Sequence, residues 1–134
     1  KNKESQDLYK ECSEVLEKYQ LKTVVKLLDD KAAYDIKILD MKEHSPMSSY
    51  CIICESNSER QAKAYASLIE DELAKNNFSI HHIEGRKDNQ WILVDAFDII
   101  IHIFTKEGRR NYNLDKLWVN LDEISVEEVL NYEL

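Results

Sequence analysis

The chain is poor in the residues that break or staple a fold. Its 134 residues include two glycines, one proline and three cysteines. An odd cysteine number in a chain of this size excludes a disulfide framework and favours a reducing compartment. Gly85 and Gly108 stand alone, so no glycine-rich phosphate cradle can be assembled. No apolar run approaches the ~20 residues that cross a bilayer. Lys1-Asn2-Lys3-Glu4-Ser5 leads into no apolar signal core. The missing initiator Met fits a processed or trimmed chain. Net positive charge is absent too. Eighteen Lys and Arg against 26 Asp and Glu give −8. That excludes nucleic-acid binding by bulk charge and suits a basic partner. A hydrophobic fraction of 43% is enough for one domain with a core and argues against disorder.

The apolar content is concentrated in Trp91–Phe104. This stretch reads as a β-hairpin, Trp91–Asp95 against Asp98–Phe104, because β-branched and aromatic residues fill both arms. Alternation puts Ile99, Ile101 and Ile103 on a core face. Asp98, Ile100, His102 and Phe104 share the other face, and Trp91, Leu93 and Asp95 separate likewise from Ile92 and Val94.

The rest of the chain supplies helices and shorter strands. Residues 5–19 have a helical stripe of Leu8, Cys12, Val15, Leu16 and Tyr19. Leu21, Val24, Val25 and Leu28 form a second stripe, roughly opposite the first at 100° per residue. Two helices with a break near Tyr19-Gln20 are the expectation, with one helix apolar on two sides as the alternative. Ile36–Met41 and Tyr50–Glu55 read as strands, with His44-Ser45-Pro46 as loop between them. Ser56-Asn57-Ser58-Glu59 is a capping box for a helix running to about Lys75. Ala62, Tyr65, Ala66, Ile69 and Leu73 form its buried stripe, and Asn76-Asn77 a left-handed stop. Ser79–Ile83 is a third strand, expected to lie parallel to Tyr50–Glu55 through a crossover. Gly85 to Gln90 is polar loop, Gly108-Arg109-Arg110 a turn, and Asp115–Trp118 one helical turn. Ser125-Val126-Glu127-Glu128 caps a short terminal helix. The expected fold is α/β (α+β): a mixed five-stranded sheet with flanking helices. The expected division is a helical extension over 1–20, a main domain over 21–122 and a C-terminal helix over 123–134.

Chemistry-bearing residues are few. Cys51 and Cys54 have redox or zinc spacing, but a strand turns residues three apart to opposite faces, so buried structural thiols are the better reading. Cys12 reads as core. His81 and His82 are expected to point oppositely and not to form a metal site with His44 or His102. His102 interrupts an isoleucine-rich strand and reads equally as a satisfied sheet histidine or a contact residue. Asp95 and Asp98 flank a turn, and carboxylates there commonly bond turn amides. An Asp-x-Asp pair for nucleotidyl transfer is absent. Lys106, Arg109 and Arg110 beside Tyr112 read as a solvated basic turn.

A family resemblance rests on residues in order. They are Lys31-Ala32-Ala33-Tyr34-Asp35-Ile36, Tyr50-Cys51-Ile52-Ile53, Asn57-Ser58-Glu59-Arg60-Gln61 and Glu84-Gly85-Arg86. Trp91-Ile92-Leu93-Val94-Asp95, Asp98, His102-Ile103-Phe104 and Tyr112-Asn113-Leu114-Asp115-Lys116-Leu117-Trp118 follow. Over roughly residues 21–118 the chain resembles the ribosomal silencing factor (Iojap-related) family. The resemblance implies a nucleotidyltransferase-like fold without the catalytic acids, no enzymatic activity, no cofactor and no metal. It implies binding to the large ribosomal subunit through its fourteenth protein and a steric block on small-subunit joining. Organellar relatives act in large-subunit assembly. The alternatives are such an assembly factor in an organelle or, from another class, a metal-dependent nucleotidyltransferase using Asp95 and Asp98. A bacterial cytoplasm or an organelle matrix is the implied location. A homodimer off the ribosome is the further partner implied; any RNA contact, from the Lys106, Arg109 and Arg110 patch, is expected to be peripheral at most. Trp91 is the expected anchor, Leu93 its apolar extension, and Asp95, Asp98 and His102 polar contacts; Tyr50 and Arg60 also match family positions. Phe97 stands where the family has glycine, and Ser56 where it has another, so this is a divergent member.

Overall fold

The computed structural model describes residues 3–85 and 90–134. Helix α1 (Lys3–Asp30) is followed by strands β1 (Tyr34–Asp40) and β2 (Tyr50–Ser56) and helix α2 (Glu59–Lys75). Next come β3 (His82–Gly85), β4 (Trp91–Ala96), β5 (Ile99–Thr105), α3 (Lys106–Tyr112) and α4 (Leu114–Leu117). β6 (Glu123–Ile124) and α5 (Val126–Leu130) complete the described chain. The sheet order is β3-β4-β5-β2-β1-β6. β2 and β5 pair in parallel; the other neighbours are antiparallel.

The α/β class with a mixed sheet and flanking helices is as expected, but there are six strands, not five. The extra one, β6, is a two-residue edge pairing on β1 that carries too short a pattern to detect. The crossover expectation also needs correction. Strands β2 and β3 do run in the same direction, but β4 and β5 lie between them, and the parallel partner of β2 is β5. The third strand starts at His82 rather than Ser79, although the His81 amide already donates to the Asp95 carbonyl at 2.8 Å.

The first two stripes belong to one helix, not two. α1 runs unbroken through Tyr19-Gln20. Its second stripe, Leu21, Val24, Val25 and Leu28, is fully buried, while Leu8, Val15 and Leu16 stay about half exposed or more. The opposed stripes therefore mark a change of surroundings along one unbroken helix. Cys12 is exposed, correcting its assignment to the core.

α2 buries the expected five residues and ends at Lys75; Asn77 takes φ 64°, the left-handed stop. Its cap is two residues later than expected. Ser58 accepts from the Gln61 amide at 3.1 Å, and the Gln61 side chain accepts from the Asn57 amide. Ser56 instead ends β2, its hydroxyl donating to the Ser58 carbonyl. Ser125 does cap α5, accepting from the Glu128 amide at 3.0 Å. Gly108-Arg109-Arg110, expected as a turn, lies inside α3.

Two apolar layers result. α1, α2 and α5 seal one sheet face over Ile38, Ile52, Val94, Ile99, Ile101 and Ile103. The other face holds a smaller cluster of Leu39, Cys51, Ile53 and Phe104, with Leu114 from α4. Beyond that cluster lies the half-buried part of the β4–β5 hairpin.

Candidate functional site

Period-two alternation builds the site. Along β4, Ile92, Val94 and Ala96 are buried, while Trp91, Leu93 and Asp95 are half-buried. Their cross-strand partners are Phe104, His102 and Ile100. The Trp91 ring centroid lies 4.8 Å from Tyr112, 5.2 Å from Phe104 and 5.6 Å from His102. Trp118 approaches His102 at 5.7 Å. Such spacings fall in the range where aromatic quadrupoles attract.

One directional bond fixes this group. Trp91 Nε1 donates to His102 Nδ1 at 2.9 Å. The acceptor nitrogen must be unprotonated, so the neutral ring carries its proton on Nε2. Burial favours the same state, pushing the His102 pKa down to about 4. Near neutral pH the Trp91–His102 aromatic group is thus uncharged. Tyr112 on α3 and the exposed Leu117 and Val119 extend apolar surface from the neighbouring elements.

An ion cluster around the buried Arg109 holds α3 and α4 beside the platform. Thr105 caps α3, accepting from the Gly108 amide at 3.0 Å. A Cβ at residue 108 would sit on the Gln90 carbonyl, so only glycine allows α3 to approach this closely. Arg109 is then 7% exposed. Its guanidinium forks onto Asp115 (Nε to Oδ2 3.2 Å, Nη2 to Oδ1 3.0 Å) and also donates to the Asp35 carbonyl. Burial opposes the Arg109 charge, but Asp115, Asp35 and Glu55 outweigh it and raise its pKa. The hydrogen bonds from Arg109 hold the Asp115 carboxyl below the usual carboxylate range, against partial burial. Lys37 adds a second cation at 3.4 Å. The solvated basic turn expected here is therefore corrected at Arg109, which ties α3 to α4 and to the β1 bulge near Asp35. Asp115 six residues later was the available signal, but such a spacing is not specific.

Of the expected site residues, Trp91, Leu93, Asp95 and His102 share the platform face. Asp95 Oδ1 accepts from the Phe97 amide at 3.0 Å, the turn chemistry anticipated for it. Asp98 is exposed in the two-residue turn rather than aligned on β5, and its backbone carbonyl accepts from the Ser49 and Tyr50 amides. Phe97 takes φ 66°, the left-handed position that a family glycine would occupy. Tyr50 lies on the helix-covered face and is 1% exposed. Arg60 is exposed in the first turn of α2, within the helical layer. Cys51 and Cys54 are buried and belong to the two different clusters, as strand geometry requires. Burial pushes both thiols up to about 12, so they are inert. His81 and His82 do not point apart: their rings are 5.0 Å from one another.

An acidic α/β domain with one sheet face sealed and a neutral, pinned aromatic platform on the other has the make-up of a binding module. The chain belongs to the ribosomal silencing factor family: residues 13–133 match its model, described as ribosomal silencing factor during starvation. That span takes in part of α1 and all of α5, more than the 21–118 over which the resemblance was legible. The chain is 41% identical over 98 residues to the ribosomal silencing factor RsfS of Bacillus subtilis, covering 73% of this chain and 83% of that one. A mouse protein named mitochondrial assembly of ribosomal large subunit protein 1 is 28% identical, covering 75% of this chain and 46% of that one. Among solved structures, a crystal structure from Bacillus halodurans superposes with a TM-score of 0.68 at 33% identity. It covers 78% of this chain and 95% of that one.

Proposed function

We propose that the chain binds the large ribosomal subunit through its fourteenth protein and, once bound, sterically blocks joining of the small subunit. Family membership supports a ribosomal role. The observation that carries the docking surface is the Trp91–His102 platform, rigid before binding and carried by a domain of net charge −8. Preformed aromatic surface loses little freedom on association, and aromatic anchors dominate many interfaces. An acidic domain is also steered toward a basic ribosomal protein. Trp91 is the anchor, Leu93 extends it, and Asp95 and Asp98 offer acceptors at the hairpin end. Tyr50 acts through the core rather than by contact, and Arg60 reaches a partner only from the helical layer. Off the ribosome the same apolar platform is open to self-association, and RNA contact stays peripheral.

Sedimentation tests this reading. Separated subunits are mixed under joining conditions with the wild-type chain or with Trp91→Ala. The wild type is expected to co-migrate with large subunits and lower the yield of complete ribosomes; Trp91→Ala is expected to do neither. Undiminished joining with no co-migration of the wild type would overturn the proposal. A second reading, an organellar large-subunit assembly factor, is favoured by the name of the mouse relative. Accumulation of large-subunit precursors on depletion would support it, and normal precursor levels would remove it.

A further inference from the structure

The hairpin end carries a group of side chains of which the docking reading uses only Asp95. His81, His82 and Asp95 each present one ligand atom, and these three atoms lie within 4.8 Å of one another. The backbone fixes their meeting. His82 is the direct cross-strand partner of Asp95, and the His81 amide donates to the Asp95 carbonyl at 2.8 Å. The Asp95 carboxylate is oriented by the Phe97 amide on Oδ1, which leaves Oδ2 facing His82 Nδ1 at 3.8 Å. The other nitrogen, His82 Nε2, faces Glu84 Oε2 at 3.6 Å. The His81 ring leans on Phe97 at 5.3 Å.

We propose that His81, His82 and Asp95 form a divalent transition-metal site, suited to zinc, with Glu84 orienting His82 from behind. Two imidazoles and one carboxylate are a donor set of zinc type. Zinc bonds of about 2.0–2.2 Å put tetrahedral ligand atoms roughly 3.3–3.5 Å apart. The His82–Asp95 pair is nearly at that spacing, and the exposed His81 ring closes the rest by a side-chain rotation. Glu84, 3.6 Å from the far nitrogen, is placed to close onto Nε2 when Nδ1 takes the metal. The turn amide on Asp95 Oδ1 orients that carboxylate. Three protein ligands leave the fourth position to water or to a donor from a partner. The ion would cross-link the start of edge strand β3 to β4 at the Phe97 turn.

Calorimetric titration of the full chain with zinc chloride tests the site. Cys12→Ser is used throughout, because Cys12 is the exposed thiol. Saturable binding of one zinc per chain is expected. His81→Ala and His82→Ala should each weaken it by about tenfold or more, and Glu84→Gln by about tenfold. His44→Ala, a loop histidine outside the group, should leave it unchanged. Imidazole proton resonances of His81 and His82 should shift on zinc addition, and those of His102 should not. Because both ring substitutions are on the surface, circular dichroism should confirm an unaltered fold. No saturable binding, or binding equally strong in the His81 and His82 variants, would overturn the proposal.

Discussion

The two faces of the sheet are built on different rules. Under α1, α2 and α5 the side chains are branched aliphatics, and Ile99, Ile101 and Ile103 are fully buried. Burial area alone holds them, because a covering layer restrains each from above. Among the described residues, the opposite face has no complete cover over the β4–β5 hairpin. There the half-buried Trp91 is held by a directional bond to the buried His102, and Arg109 by bonds to Asp115 beside it. The lesson is that a sheet face without a covering layer must obtain its rigidity sideways, from polar bonds within its own plane. Such bonds depend on protonation and geometry in a way that aliphatic packing does not.

The contrast breaks most sharply within one hairpin. Ile101→Ala on the sealed face should cost about 4 kcal/mol, as large cavities in closed cores do. Leu93→Ala on the open face should cost about 1 kcal/mol and act mainly on ribosome binding. Urea unfolding of both variants gives the comparison; equal losses would mean that the two faces are packed alike. Next in size is Arg109→Ala, which strands a partly buried Asp115. About 3 kcal/mol is expected, with Lys37 limiting the damage. Arg109→Lys should recover little, since an ammonium cannot reproduce the fork.

Acid should then distinguish the faces. His102 titrates near 6.5 when unfolded but near 4 when folded. Between those values the unfolded chain holds more protons, so stability is complete above pH 6.5 and falls as pH drops toward 4. The total is about 3 kcal/mol, at 1.36 kcal/mol per pKa unit. Asp115, with its folded pKa depressed below 3.8, loses its contribution only at lower pH still. His102→Gln retains an acceptor for Trp91 and should flatten the slope between pH 6.5 and 4 in unfolding curves. A slope unaltered in that variant would place the titration elsewhere. The smallest effect is expected at the turn. Phe97→Gly relieves a bulky residue at φ 66° but gives up its contact with His81. A net stabilisation within about 1 kcal/mol, read as a rise in Tm, is the expectation.

What could be read from the sequence follows this division. The α2 stripe and the hairpin alternation depend only on period, so both were legible to within a residue or two. Trp91, Leu93, Asp95 and His102 fell on one face by the same rule. Arg109 did not, because its burial comes from β1, α3 and α4 converging across some 74 residues of chain, and no local pattern encodes that. Ser56 and Ser58 both begin a Ser-x-x-Glu/Gln pattern, so the sequence offers two caps for α2; ladder pairing of Ser56 with Thr105 decides between them. The opposed stripes at Tyr19-Gln20 suit either a break or one helix apolar on two sides, and the sequence does not show which stripe is covered. Two opposed stripes cannot both face one sheet, and here only the second does.

That unbroken helix has a mechanical consequence. Gln20, at the point where the stripes change, donates from Nε2 to the Ala96 carbonyl at 3.0 Å, in a buried bond to the end of β4. The helix is therefore clamped at its middle to the same strand that carries Trp91. Residues 3–19 extend about 25 Å from that clamp at 1.5 Å per residue. Without a joint at Tyr19-Gln20, the orientation of Tyr9 is set by the orientation of Trp91. The first half of α1 thus behaves as a ruler rather than a tether, and the setting of the hairpin also determines where that ruler points.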